Sequence, residues 1–278
     1  GTAMSSNKEF LNTYGLDVIS VAPNKHVKRT DFQPRMYFSK RNKLEAMLEE
    51  VRFCQLIGRP VLIGTHSIDE CEAISQLLAA DGISHNILNA ANDLEEEQII
   101  HESGLLGSVT VATDMAGRGT DIVLEAGLDQ QITNNYIDLL RHLLDDGVGV
   151  VTLKCPTNEA ADILLSAVTA SDLRYGVLTT NKKHGAEVVL QARDVSAHGR
   201  VIDMDFGLGL FVIGAEVSDN ARVDRQLMGR SGRQGAFGTS QFFLSAEDCL
   251  LKDAGPAPSA LANTEIDSAG RAFLEGEP

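Results

Sequence analysis

Apolar residues along this chain recur with two periods. Over 40–56 they fall at Leu44, Met47, Leu48 and Val51, the spacing of a half-buried helix. Gly58-Arg59-Pro60 stops that helix. Val61-Leu62-Ile63-Gly64-Thr65 is then a continuous apolar run, as expected of a parallel strand buried on both faces. Ser67 is positioned to cap the next helix, with Glu70 completing a capping box, and Cys71, Ile74, Leu77 and Leu78 form that helix's inner stripe. A strand over 85–89, a helix over 95–102 and a strand over 109–113 follow. Upstream, 17–24 reads as a short apolar strand ended by Pro23. Strands alternating with helices at this interval predict an α/β fold around a mostly parallel sheet.

The rhythm continues beyond 127. Tyr136, Leu139, Leu140, Leu143 and Leu144 predict an amphipathic helix, 148–153 a strand, and 158–170 a helix carrying Ile163, Leu164 and Leu165. With a shift of about ninety residues this stretch echoes the preceding one. Val61 then falls on Val150, Glu70 on Glu159, Ile74 on Ile163, Leu88 on Leu178, Glu97 on Glu187 and Val111 on Val201. Residues 134–209 therefore read as a degenerate internal copy of 40–119, although any two β-α-β units align partly by chance. A copy would have lost its chemistry, since Leu208, Leu210 and Phe211 stand where the first unit has Arg118, Thr120 and Asp121. Gly255-Pro256-Ala257-Pro258 reads as a linker or the start of another domain.

The candidate chemistry sits in two short stretches. Asp114-Met115-Ala116-Gly117-Arg118-Gly119-Thr120-Asp121 follows the 109–113 strand directly, at the carboxyl edge where parallel sheets bind ligands. Gly117 and Gly119 let backbone come close to a ligand; Arg118 offers charge, and Asp121 an acceptor for a hydroxyl or an organised water. About a hundred residues on, 224–235 has the pattern Q-x-x-G-R-x-G-R-x-G, a helix end breaking into a glycine-rich turn. Gln226, Arg230 and Arg233 are spaced to share one face while the helix lasts. Guanidinium groups bind phosphate oxygens in a fixed fork, so this edge suits a phosphate-rich ligand. A solvated helix end stopped by glycines would explain an isolated arginine pair, but the length of the full pattern favours a ligand.

Charge and cysteine use narrow the partners. A net charge of −15 repels a polyphosphate backbone over most of the surface, so nonspecific nucleic-acid binding is not expected. Cys54, Cys71, Cys155 and Cys249 form no C-x-x-C pair, which fits reduced thiols and gives no metal signature. No apolar run approaches the length of a membrane span. No G-x-x-x-x-G-K-[ST] loop and no D-E-A-D-like strand end occur, so half of a nucleotide site is missing.

These motifs resemble the second nucleotide-binding domain of SecA, the preprotein translocase motor ATPase. The resemblance rests on A-G-R-G-T-D-I over 116–122, L-F-V-I-G-A-E over 210–216, the arginine motif, and G-T-S-Q-F-F-L-S-A-E-D over 238–248. It covers about 1–127 and 210–250. Gly1-Thr2-Ala3 with Glu9-Phe10 is similar to the family's close of the first motor domain, and Arg29-Thr30-Asp31 to its R-x-D element. His184-Gly185-Ala186-Glu187 resembles the family's H-x-x-E, which the first unit has as 93–96.

The resemblance implies a RecA-like sheet with helices on both faces, divided as motor domain over 1–127, an inserted α/β segment over 128–209, the remainder of the motor over 210–254, and a linker over 255–278. It implies ATP between two motor domains, with Mg2+ held by a first domain outside this chain. Arg230 and Arg233 would be arginine fingers oriented by Gln226, and Asp121, Arg118, Gly117, Gly119 and Thr120 would sense the nucleotide. ATPase activity would belong to the intact protein and not to this fragment alone. Its partners would be the first nucleotide-binding domain, preproteins and a membrane translocation channel, and its place cytoplasmic and peripherally membrane-associated. Three departures mark a divergent member: Met228 where the family has arginine, Ala236-Phe237 where it has aspartate and proline, and the insertion. Two other classes stay open, the second motor domain of a nucleic-acid helicase and a non-catalytic interaction module. Acidity, and the lack of an aromatic and basic strand-binding stretch, weigh against the helicase.

Overall fold

The computed structural model describes residues 2–88, 93–113, 119–182, 185–193, 200–248 and 271–272. A 3-10 turn and helix α1 (Asn7–Tyr14) open the chain, followed by strands β1 (Lys28–Asp31) and β2 (Arg35–Tyr37). Next come α2 (Lys40–Leu56), β3 (Val61–Thr65), α3 (Ile68–Ala80), β4 (Asn86–Leu88), α4 (Asp93–Glu102) and β5 (Val109–Thr113). Then α5 (Leu128–Asp145), β6 (Val148–Cys155), α6 (Asn158–Ala170), β7 (Tyr175–Lys182), β8 (Gly185–Ala192) and β9 (Arg200–Asp205) form a second unit. The chain returns through β10 (Leu210–Gly214), α7 (Ala221–Met228), β11 (Phe237–Ser245) and the short β12 (Arg271–Ala272).

The main sheet has eight strands in the order β12-β2-β11-β10-β3-β5-β4, with β1 also paired to β11. Every pairing is parallel except β12 with β2. Alternation along the strands sends Val61, Ile63, Val109, Val111, Phe211 and Ile213 to one face, under α2 and α3. Leu62, Ala112, Leu210 and Val212 go to the other, against Ile100 of α4 and Leu227 of α7. Each such Val, Leu or Ile removed from water contributes about 1.5–3 kcal/mol. With helices on both faces, this is the RecA-like α/β sheet that the motifs predict.

Two local expectations are corrected. The 17–24 stretch forms no strand; 15–27 lies outside helix and strand, with Ile19 and Val21 82% and 86% exposed. A strand needs a neighbour for its N–H and C=O groups, and the edge of β11 beyond β10 is already taken by β1 and β2. The capping box at α3 is half formed. Ser67 Oγ accepts from the Glu70 N–H at 3.1 Å, but no hydrogen bond returns from the Glu70 carboxylate. That side chain turns inward instead, toward the fully buried Lys43. Lys43 Nζ donates to Ala215 O at 2.8 Å and to Asp248 Oδ1 at 2.7 Å, and Glu216 Oε1 lies 3.9 Å away. This cluster closes the carboxyl ends of β10 and β11 on the α2 and α3 side.

Residues 128–205 build a separate four-stranded sheet in the order β7-β8-β6-β9. β6 is parallel to β9 and antiparallel to β8, and β7 and β8 form a hairpin. Its core, from Ile132, Tyr136 and Leu140 of α5 through Leu164 of α6 to Val188 and Leu190 of β8, also takes in Ile57 and Phe237 from the main body. Arg59 fixes the junction. It is 6% exposed and donates to Gly209 O, Leu208 O and Thr239 Oγ1 at 3.0, 3.0 and 2.8 Å. Asn135 Nδ2 donates to Ile57 O at 3.0 Å, and Tyr136 OH to Asp205 O at 2.7 Å.

The likeness to 40–119 is partial. α3 and α6 each have 13 residues, and Thr157 caps α6 as Ser67 caps α3. β6 with β9 repeats the parallel pairing of β3 with β5. There the correspondence stops: where the first unit has α4, the second has β8, so Glu97 and Glu187 do not occupy like elements. Moreover, among the described residues β7 pairs only with β8, whereas β4 pairs with β5. The ninety-residue alignment therefore fails between the first helix and the last strand, where β4 and α4 give way to the β7–β8 hairpin.

Candidate functional site

α7 positions the arginine motif. Asn220 Oδ1 caps the helix by accepting from the Arg222 N–H at 3.0 Å, and Asp224 Oδ1 accepts from the Ser218 N–H at 2.9 Å. The helix ends at Met228, so only Gln226 of the three predicted residues lies on it. Arg230 and Arg233 reach the same place through the turn that follows, which corrects the shared-face expectation. Ser231 Oγ ties that turn to the start of β10, donating to Leu210 O at 3.0 Å. Gly238 packs beneath it; a Cβ there would sit 2.1 Å from Ser231 Oγ and 2.9 Å from the Gly232 nitrogen.

The result is a cleft of about 690 Å³ on the α4 and α7 side of the sheet. Its floor includes Leu62, Leu88 and Ala112. Gln226, Gly229, Arg230 and Arg233 form one wall, and Thr113 and Gly119, from the carboxyl end of β5, belong to another. An adjoining cavity of about 190 Å³ shares Arg230 and Arg233 and adds Asp121 and Gln234. Thr120, half-buried, lies between Gly119 and Asp121 in the chain. Gly117 and Arg118 lie outside the described residues.

The two motifs meet directly. Arg233 Nη1 donates to Asp121 Oδ1 at 2.9 Å, and Arg233 Nε to Gly229 O at 2.7 Å. Gln234 Nε2 donates to Asp121 Oδ2 at 2.7 Å. Half burial holds Arg230 below arginine's usual pKa, and the neighbouring Arg233 adds to this while Glu96 of α4 opposes it. Two neighbouring guanidiniums in a partly dry cleft favour a further anion there, beside the Asp121 carboxylate that Arg233 already holds.

Arg29, part of the R-x-D element but not among the predicted site residues, also lines this cleft. β1 carries it into place across some two hundred residues by pairing with β11. Asp31 holds it with bonds of 2.7 and 3.0 Å. Burial pushes the Asp31 carboxyl up, but hydrogen bonds from Arg29 and Ser240 outweigh it and leave the group below the usual carboxylate range.

A nucleotide triphosphate fits these surroundings by charge and by size, since small-molecule sites commonly measure about 300–1,000 Å³. Among the described residues no group of three His, Cys, Asp or Glu side chains could hold a metal ion.

Comparison with known proteins gives a consistent relationship. The family model described as the SecA P-loop domain matches residues 26–261. The protein translocase subunit SecA of Tropheryma whipplei strain Twist is 38% identical over 263 residues, covering 94% of this chain and 27% of that protein. The SecA subunit of Deinococcus radiodurans is 36% identical over 258 residues, covering 91% and 28%. This chain thus spans about a quarter of the length of such relatives. Among solved structures, the E. coli DEAD-box protein SrmB, crystallised with regulator of ribonuclease activity A, aligns over 83% of each chain at 12% identity. The TM-score is 0.41.

Proposed function

The chain belongs to the SecA family, and from that premise we propose that it is the second nucleotide-binding domain of an ATP-driven protein-translocation motor. The observation that carries this reading is the Arg233–Asp121 contact, which joins two motifs 112 residues apart at the rim of one cationic cleft. A triphosphate held mainly by a first motor domain would enter from the open side. Arg230 and Arg233 would then donate to its γ-phosphate oxygens and neutralise charge that develops in phosphoryl transfer. Gln226, on the same wall, orients a guanidinium or a phosphate oxygen. Gly119, Thr120 and Asp121, with Gly117 and Arg118, couple bound nucleotide to closure, because ATP binds the closed cleft better than the open one. Mg2+ belongs to the first domain in this reading, and this chain alone does not turn over ATP.

The other expectations follow from the family. The whole protein would act on preproteins at a membrane channel from the cytoplasmic side, and 128–209 would be an insertion into the motor domain. No helix among the described residues is long and apolar enough to cross a membrane.

The test is Arg230→Ala and Arg233→Ala in the full-length protein, with ATP turnover and thermal unfolding measured together. The expected result is a fall in kcat of about a thousandfold or more, with folding retained. Unchanged turnover in both variants would mean a non-catalytic interaction module instead.

A further inference from the structure

We infer that Gln234 is a positioning residue that holds the Arg233 finger through Asp121. This rests on the reading of Arg233 given above.

The first observation is backbone geometry. Gln234 has φ 54° and ψ 24°, and among the described residues no other non-glycine residue has a positive φ. A side chain in the left-handed region is strained, and such strain persists where the surroundings hold it for a reason. Core packing is not that reason, because Gln234 is exposed. The neighbouring left-handed positions at 232 and 235 are glycines, so the turn itself asks for glycine here as well.

The second observation is what this backbone does with the side chain. It brings Gln234 Nε2 to 2.7 Å from Asp121 Oδ2 while Arg233 Nη1 holds Asp121 Oδ1 at 2.9 Å. One carboxylate is thus gripped at both oxygens by consecutive residues. Arg233 is pinned at a second point by Gly229 O. Nε and one Nη1 hydrogen are occupied, which leaves the Nη2 edge of the fork for a ligand in the cleft. Without Gln234, Asp121 is held by one donor and can rotate, and the guanidinium rotates with it. A finger of this kind works only when its donors are already aimed before charge develops. Gln234 therefore acts on the transition state through Arg233, without touching nucleotide.

The experiment is Gln234→Gly in the full-length protein, alone and combined with Arg233→Ala. Glycine removes the side chain and accepts the backbone angle, so folding is preserved and the melting temperature should stay within about 2 °C. The expected result is a kcat for ATP lowered about ten- to hundredfold with KM changed less than about twofold, as for an interaction realised in the transition state. On the Arg233→Ala background the same change should have no further effect. Full kcat in Gln234→Gly, a change confined to KM, or an equal loss on both backgrounds would each overturn the inference. If Arg233→Ala itself keeps full turnover, the finger reading fails instead, and the two failures are told apart.

Discussion

Lys43 and Glu70 are both buried, and neither is explained by the helix pattern that contains it. Lys43 lies on α2 among apolar neighbours, and Glu70 looks like an ordinary capping-box residue. Their meeting with Glu216 and Asp248 depends on chain returns of some 150–200 residues, which local spacing cannot reveal. Burial pushes the Glu70 carboxyl from 4.5 up to about 7, with the facing Glu216 adding to the shift and Lys43 and Lys40 opposing it. The folded chain then holds this proton more tightly than the unfolded one. Stability from this group is greatest below the unfolded value, falls as pH rises from about 4.5 to about 7, and stays reduced above that. Glu70→Gln removes the ionisation. It should raise the melting temperature relative to the parent at about pH 8, by roughly 2–4 °C for each kcal/mol recovered, and lose that advantage at about pH 5. Equal melting differences at the two pH values would contradict this assignment.

Among the elements, those buried on both faces were the most legible. The bounds predicted for α2 and β3 match those observed, and β5 and α6 likewise, because continuous apolar runs and a 3-4 stripe leave little ambiguity. The β7–β8 hairpin was not legible. Ala186, Val188, Leu190 and Ala192 alternate inward with period two, yet a likeness to a helix-opening H-x-x-E masks this in the sequence. The arginine turn lies between: its glycines announced a turn, but not that the turn rather than α7 would carry both Arg230 and Arg233. That turn rests on β11 through Gly238. Gly238→Ala should therefore displace it, since the added carbon meets the Gly232 backbone and Leu210 O as well as Ser231 Oγ. The expected cost is about 1–3 kcal/mol in stability, with ATP turnover falling further than stability alone accounts for. Normal turnover in a Gly238→Ala protein would show that the turn is not supported this way.

For the molecule as a whole, the division near residue 128 was drawn where the family resemblance stops, since the strand–helix rhythm runs on past it, and the manner of attachment was not legible. Arg59 reads in sequence as part of a Gly-Arg-Pro helix stop; in the fold it binds the loop that leaves the second unit. Gly207 is there because a Cβ would lie 2.0 Å from Arg59 Nη1. The strands of 148–205 stay out of the main sheet, yet their core runs on into Ile57, Phe53 and Phe237. Replacing 130–206 with a short linker should uncover those side chains and lower the melting temperature by more than about 10 °C, read by calorimetry. A melting point close to the parent's would mean that the unit is merely appended.

A unit bolted on through shared side chains behaves as a cantilever. Arg59, Ile57 and Phe237 belong to both units, so the second sheet has no slack against the main body. A tilt of the main body at Arg59 would therefore be carried into the second unit and not absorbed at a hinge.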